Sequence, residues 1–311
     1  MIDLVIPVYN EEELIGQLNA ELHRVMEQTG ETWRVTYVND GSADRTLDML
    51  RKLQTESPAT VRIVDLSRNW GHQAAISAGL SLAGGDAVIL MDADFQDPPA
   101  LLPELVAAWR NGAEVVVARR RSRAETGLRG FLLRRFYGVM RYLSDYPIPL
   151  HAGVFGLLDR KAAQALQGLE ETNRFLPGLR SWVGFRTEFV EFDRPERLAG
   201  EPKQTFGRLF QYAVNAILSF SYKPLRVTLA LGFAAAILAF VGALVIVAMR
   251  VFSIGIFKDS VVLGYTSMIS ALLFLGGVQL ISIGILGEYI GRVYDEVKRR
   301  PLFVIREVIG K

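Results

Sequence analysis

The sequence predicts an α/β domain with a mostly parallel sheet covered on both faces by helices, followed by a pair of membrane-crossing helices. Three observations predict it. Short apolar runs alternate with helix-period segments up to about Arg119. Acidic residues gather directly after predicted strands. Two long uncharged stretches occupy the C-terminal part of the chain.

The predicted strands are Ile2–Val8, Arg34–Asn39, Val61–Leu66, Ala87–Met91 and Glu114–Ala118. Between them lie Glu11–Thr29, Thr46–Glu56, Trp70–Ala83 and Pro99–Asn111, with apolar residues at helical spacing such as Leu14, Leu18, Leu22, Val25 and Met26. Strands that alternate with helices pair in parallel, and the helices cover both faces of the sheet. Such sheets take ligands beyond the carboxyl ends of their strands. These elements place a catalytic-type domain over residues 1–224.

Two aromatic and basic segments near 130–144 and 205–222 have helical spacing. They read either as interfacial helices in a headgroup layer or as amphipathic helices on the core. The adjacent spans favour the interface. Val227–Met249 carries no charge and, as a helix, measures about 34 Å, enough to cross a bilayer core. Val261–Leu286 is a second uncharged stretch. Together they predict a hairpin over residues 225–291, with 292–311 as a C-terminal tail. Lys223 and Arg226 precede the first span, and Arg292, Lys298, Arg299 and Arg300 follow the second. The positive-inside rule then places both termini in the cytoplasm. The N-terminal Met1-Ile2-Asp3-Leu4-Val5-Ile6-Pro7 lacks the basic region of a signal peptide.

Composition narrows the chemistry. The net charge is +2, so there is no overall nucleic-acid-binding signature. With no cysteine there is no disulfide, thiolate nucleophile or cysteine zinc site. The histidines, His23, His72 and His151, are far apart in sequence and argue against zinc.

Four local signals lie at or after strand ends. In Pro7-Val8-Tyr9-Asn10-Glu11, Asn10 is placed to cap the next helix and Glu11 to complement its positive end. In Asn39-Asp40-Gly41-Ser42, the Asp-Gly pair suits a turn, and its carboxylate also suits a base N–H or a ribose hydroxyl. Asp92-Ala93-Asp94-Phe95-Gln96-Asp97 follows the fourth strand. Alternate residues of an extended chain face the same side, so Asp92 and Asp94 can share a ligand. Massed carboxylates repel one another unless a cation is present, and hard oxygen ligands beside a diphosphate suit Mg²⁺ or Mn²⁺. Helix capping before Pro98-Pro99 accounts for one aspartate, such as Asp97, and leaves the others. The fourth signal is basic: Arg119, Arg120, Arg121 and Arg123, then Arg197 and Lys203. These suit either phosphate binding or a solvated face near anionic lipid.

Together the motifs resemble glycosyltransferase family 2, with its GT-A fold, and within it the polyprenyl-phosphate glycosyltransferases. These include the bactoprenol glucosyltransferases of O-antigen modification, with dolichol-phosphate mannose synthase more distant. The resemblance spans Val5 to Glu12, Val38 to Ser42, Leu66 to His72, Asp92 to Pro99, Phe274 to Ser282 and Gly287 to Arg292. It implies that Pro7, Tyr9, Glu11 and Asp40 hold the nucleoside, and that Asp92 and Ala93 contact the nucleotide-sugar. It implies that Asp94 and Gln96 hold the metal beside Asp92, and that Arg120, Arg197 and Lys203 bind phosphates. The implied substrates are a nucleotide-sugar, UDP-linked, and a polyprenyl phosphate such as undecaprenyl phosphate. The implied setting is the cytoplasmic face of a bacterial inner membrane, with a homotetrameric assembly and inversion at the anomeric carbon.

One segment departs from the pattern. Family members carry Gly-Asp-Phe-Arg-Leu where this chain has Gly153-Val154-Phe155-Gly156-Leu157. Val154 replaces the expected catalytic aspartate and Gly156 the arginine. An ionised phosphate acceptor needs little general-base help, and His151, three residues earlier, reads either as an ordinary structural histidine or as a group that orients the acceptor. The departure keeps other readings open: a degenerate nucleotide-sugar-binding or scaffold protein, or transfer to a different lipid acceptor. A processive synthase fits poorly, since two spans make a poor polymer channel and no Gln-x-x-Arg-Trp segment is present.

Overall fold

A computed structural model of the chain describes residues 1–121, 152–172, 174–193, 223–251 and 263–310. Among the described residues, eight strands form one sheet: β1 Ile2–Val8, β2 Trp33–Asn39, β3 Val61–Leu66, β4 Ala87–Leu90, β5 Val115–Arg120, β6 Ala152–Asp159, β7 Thr187–Phe192 and β8 Ile305–Ile309. Their order is β7-β5-β6-β4-β1-β2-β3-β8. β1 lies parallel between β2 and β4, and β3 extends the parallel set. β6 enters antiparallel between β4 and β5. β7 pairs in parallel with β5.

The strands β1 and β4 read as near-continuous apolar runs because both faces of the sheet are covered there. Every residue of β1 is buried, and its side chains alternate between two cores. Leu4 and Ile6 join the core packed by α1 Ile15–Glu27, α2 Thr46–Glu56 and α4 Leu102–Arg110. Val5 joins the opposite core, under α3 His72–Leu82, α5 Arg160–Gln167 and α6 Leu176–Trp182. The helix α3 lies so close to the sheet that a Cβ on Gly79 would fall 2.3 Å from Val5 Cγ1.

The differences from the sequence reading have local causes. The helix α1 begins at Ile15, and its N-cap, Leu14, makes no side-chain cap hydrogen bond. Asn10 does not cap it: at φ 54° its Oδ1 accepts from Ala43 N at 2.8 Å, tying the β1 turn to the β2 turn. Before α4 the chain makes a 3-10 turn over Pro99–Leu101, because proline supplies no amide donor there. The strand β5 runs on to Arg120, since its ladder with β7 continues through Arg119 and Arg120.

Two long helices follow, α7 Lys223–Val251 and α8 Leu263–Val297. Both are long and apolar enough to cross a membrane. They contact each other, while Phe233, Leu238, Phe240, Leu272, Phe274 and Leu280 stay exposed. Within the segment predicted as a tail, 292–311, the described residues include helix and strand. The helix α8 continues to Val297, and Glu296 accepts hydrogen bonds from Thr172 N at 2.8 Å and Thr172 Oγ1 at 3.1 Å. The chain then returns to the sheet as β8, antiparallel on β3. An open β3 edge is a pairing liability, and β8 covers it. The two predicted interfacial helices lie outside the described residues.

Candidate active site

The parallel strands β1 to β4 end on one side of the sheet, and three loops meet there. The acidic loop follows β4. Its backbone is irregular, with Phe95 at φ 57°, so Asp92 and Asp94 do not sit on a regular strand. They do alternate: both are half-buried, on either side of the buried Ala93. Asp94 Oδ1 accepts from Gln96 N at 3.1 Å. Gln96 is 5% exposed, and its buried Oε1 has no hydrogen-bond partner among the described residues.

Asp97 does not cap the following helix. It is buried, and its Oδ2 accepts from Asp92 N at 3.1 Å, folding the loop back on itself. Burial, and then the charge of Asp92, push its pKa well above the usual carboxylate range, against the pull of Arg120. Arg120 Nη2 lies 3.7 Å from Asp97 Oδ1. Arg119 and Arg121 point elsewhere: Arg119 pairs with Glu191, and Arg121 pairs with Asp193 at 3.3 Å. Of these three arginines, Arg120 alone makes an ion pair with the acidic loop.

His72 is the residue that sequence reasoning missed. Its Nε2 lies 2.7 Å from Asp92 Oδ1. Burial works against its charged form, but the hydrogen bond to Asp92 and the charges of Asp92, Asp97 and Asp40 prevail and raise its pKa. The signal was its place in Asn69-Trp70-Gly71-His72, just after β3. Gly71 at φ 93° turns the chain so that α3 starts with His72 facing the acidic loop.

The residues expected to hold a nucleoside stand around the neighbouring turns. Pro7 is buried in β1, and Tyr9 is exposed at the rim. Glu11 N donates to Thr46 Oγ1 at 2.9 Å. Asp40 is buried and holds the Trp70–Gly71 turn: Oδ1 accepts from Trp70 N at 2.7 Å and Oδ2 from Gly71 N at 3.0 Å. Burial raises its pKa, with those amides and then the charges of His72 and Arg68 opposing. Asp40 thus has a structural task that the sequence did not reveal. Each oxygen keeps acceptor capacity for a ligand.

The departure at residues 154 and 156 has a physical counterpart. Val154 is half-buried against the α3 core. A Cβ on Gly156 would meet Val116 O at 2.3 Å, so this β6 position has no room for an arginine. Arg180, from α6, holds the strand instead, donating to Val154 O at 3.1 Å and Gly153 O at 3.0 Å. Its burial pushes its pKa down to about 10. His151, Arg197 and Lys203 lie outside the described residues.

Residues 3–166 match the family described as glycosyl transferase family 2. The chain belongs to glycosyl transferase family 2. It is a glycosyltransferase of GT-A fold. Residues 223–293 match the GtrB C-terminal hairpin, which is α7 and most of α8. Similar proteins include the glycosyltransferase sll0501 of Synechocystis, 44% identical over 99% of this chain and 96% of its own. The prophage bactoprenol glucosyl transferase homolog of Escherichia coli is 38% identical over 99% of each chain. The bactoprenol glucosyl transferase of Shigella phage SfII is 40% identical over 98% of this chain and 97% of its own.

The acidic loop offers donors that suit a divalent cation. The donors are hard oxygens, and the buried Gln96 Oε1 has no partner among the described residues. Among the described residues, no group of three or more His, Asp or Glu side chains is gathered as a metal cage. Two carboxylates and a carboxamide oxygen make a hard-oxygen set of the kind that Mg²⁺ takes.

Proposed function

We propose that this glycosyltransferase moves a sugar from a UDP-sugar to a polyprenyl phosphate, undecaprenyl phosphate, at the cytoplasmic face of the bacterial inner membrane. The observation that carries this reading is the acidic loop with its orphaned Gln96 oxygen, set beside Asp40 and Tyr9 at the carboxyl edge of the sheet. The bactoprenol names of the relatives support the acceptor. The two exposed apolar helices support the membrane setting.

In this reading Pro7, Tyr9, Glu11 and Asp40 hold the nucleoside, and Asp92 and Ala93 contact the sugar end of the donor. Asp94 and Gln96, with Asp92, hold Mg²⁺ or Mn²⁺. The ion, when bound, neutralises charge on the leaving diphosphate. An oxygen of the acceptor phosphate attacks the anomeric carbon. The bond from that carbon to the diphosphate oxygen breaks with inversion, and UDP departs with the electron pair. Arg120 adds positive charge beside the leaving group, with Arg197 and Lys203 as further phosphate contacts. His72 holds Asp92 in place through Nε2. An ionised phosphate monoester needs no strong base, which fits valine at 154, and His151 orients the acceptor. The hairpin keeps the site at headgroup level, where it meets a lipid-borne phosphate at high effective concentration. The family resemblance extends to a homotetramer, which light scattering on the detergent-solubilised protein tests.

The reading is tested by offering radiolabelled nucleotide-sugars to the purified full chain with undecaprenyl phosphate, undecaprenol or diacylglycerol. Label is expected in a lipid product only with a UDP-sugar and the phosphorylated prenol. Label on diacylglycerol alone would replace the acceptor. Nucleotide binding with no transfer to any lipid would refute the proposal.

A further inference from the structure

The segment after the membrane hairpin reaches the nucleotide side of the site through one arginine. The β3–β8 ladder pairs Asp65 with Glu307 and Leu66 with Ile305, so Arg306 is an extra residue in the register. A bulge of this kind re-aims a side chain. Arg306 turns toward the sheet: Nη1 donates to Asp65 Oδ2 at 3.1 Å, and Nη2 donates to Ser67 O at 2.7 Å. The Asp65 side chain is 1% exposed.

Two short chains of hydrogen bonds lead from that fork to the Asp40 turn. On one, Asp65 Oδ1 accepts from the buried Asn39 Nδ2 at 2.7 Å, and Asn39 Oδ1 accepts from Ser42 N at 3.2 Å. That path fixes the far side of the Asp40–Gly41 turn. On the other, Ser67 Oγ accepts from Trp70 Nε1 at 3.1 Å, and Trp70 N donates to Asp40 Oδ1 at 2.7 Å. The two arms converge because the turns touch: a Cβ on Gly41 would lie 2.6 Å from Arg68 C and Asn69 N. With so little free space, a shift of Ser67 or Asp65 is passed to Asp40.

We propose that Arg306 is a positioning residue for the nucleotide: it acts through Asp65–Asn39 and Ser67–Trp70 to hold the Asp40 turn in its binding geometry. Arg306 itself is largely exposed, and its fork is spent on Asp65 and Ser67. The idea rests on the reading that Asp40 holds the nucleoside. It adds that the strand beyond the membrane hairpin completes the donor site, so the donor site is finished only when the C-terminus has docked.

The test uses the full chain in detergent with UDP as the probe. Calorimetry gives the Kd of UDP, and transfer assays give the KM of donor and of lipid acceptor separately. Arg306→Gln is expected to weaken UDP about fivefold, the scale of one net hydrogen bond, and to raise donor KM similarly. Acceptor KM should stay within about twofold. Arg306→Lys keeps a charge for Asp65 but loses the fork, so it should recover part of the affinity. Asp65→Asn should reproduce the donor defect, and the double variant should add little, because both act on one path. Unchanged UDP affinity in Arg306→Gln would overturn the proposal. So would a parallel rise of donor and acceptor KM with a lowered melting temperature, the mark of general destabilisation. If wild type binds no UDP while another nucleotide binds and Arg306→Gln leaves that affinity unaltered, the proposal fails too. If Asp40→Asn binds UDP as tightly as wild type, the nucleoside reading itself fails, separately from Arg306.

Discussion

A Cβ at position 156 would sit 2.3 Å from a carbonyl oxygen of the neighbouring strand. An arginine there would therefore damage this chain. Gly156→Ala is expected to cost about 1–3 kcal/mol by overpacking, read as a lowered melting midpoint, and Gly156→Arg more. Gly41 is still more constrained: its φ is 68° and backbone atoms lie 2.6 Å from the Cβ site. Asp40 supplies a pH prediction. Its folded pKa is raised, chiefly by burial. The fold thus favours its neutral form, so the stability Asp40 contributes is present at acid pH and declines as pH rises through that pKa. Binding through its carboxylate has the opposite dependence: UDP affinity should fall on acidification before an ordinary aspartate, of pKa about 3.9, is protonated. Calorimetry across pH checks this, and Asp40→Asn should remove the step. At this scale the sequence was a partial guide. Spacing paired Asp92 with Asp94, and the family resemblance added Gln96 from the same loop. Neither disclosed the Asp92 contact of His72 or the amide contacts of Asp40, since each bridges loops that only the folded sheet brings together.

Among the elements, β1 to β5 were legible because their apolar runs and the helical periods between them are strong and local. The strand β8 was not. Ile305–Ile309 is five residues long, exposed along three of them, and gains its structure from a β3 edge 241 residues away at the Asp65–Arg306 contact. The end of α8 was missed for a related reason. Charges after Leu286 mark the end of an apolar span, while a helix continues as long as its residues permit. Glu296 then meets Thr172 through two hydrogen bonds. Glu296→Ala is expected to leave UDP affinity unchanged and to speed proteolytic cleavage between residues 297 and 304, because it frees the joint without touching the nucleotide turns. Mass spectrometry of the fragments reads the outcome.

The whole molecule is arranged so that one continuous chain makes a sheet, leaves it for an apolar hairpin and comes back to finish the sheet. Removal of residues 223–311 should therefore do more than release the protein from the membrane. It strips β8 from β3, and the bare edge is expected to produce aggregation, seen as early elution in size-exclusion chromatography. The central claim is that the acidic loop after β4 uses a divalent ion to transfer sugar to a lipid phosphate. The most direct measurement is the rate of labelled undecaprenyl-phosphate-sugar formation by wild type with Mg²⁺ or Mn²⁺, by wild type with EDTA, and by Asp94→Ala with the ion restored. The expected result is transfer that EDTA abolishes, that returns when the ion is restored, and that Asp94→Ala lowers by about 100-fold or more, the scale of a lost electrostatic contact in an active site. Undiminished transfer in EDTA, or by Asp94→Ala, would contradict it.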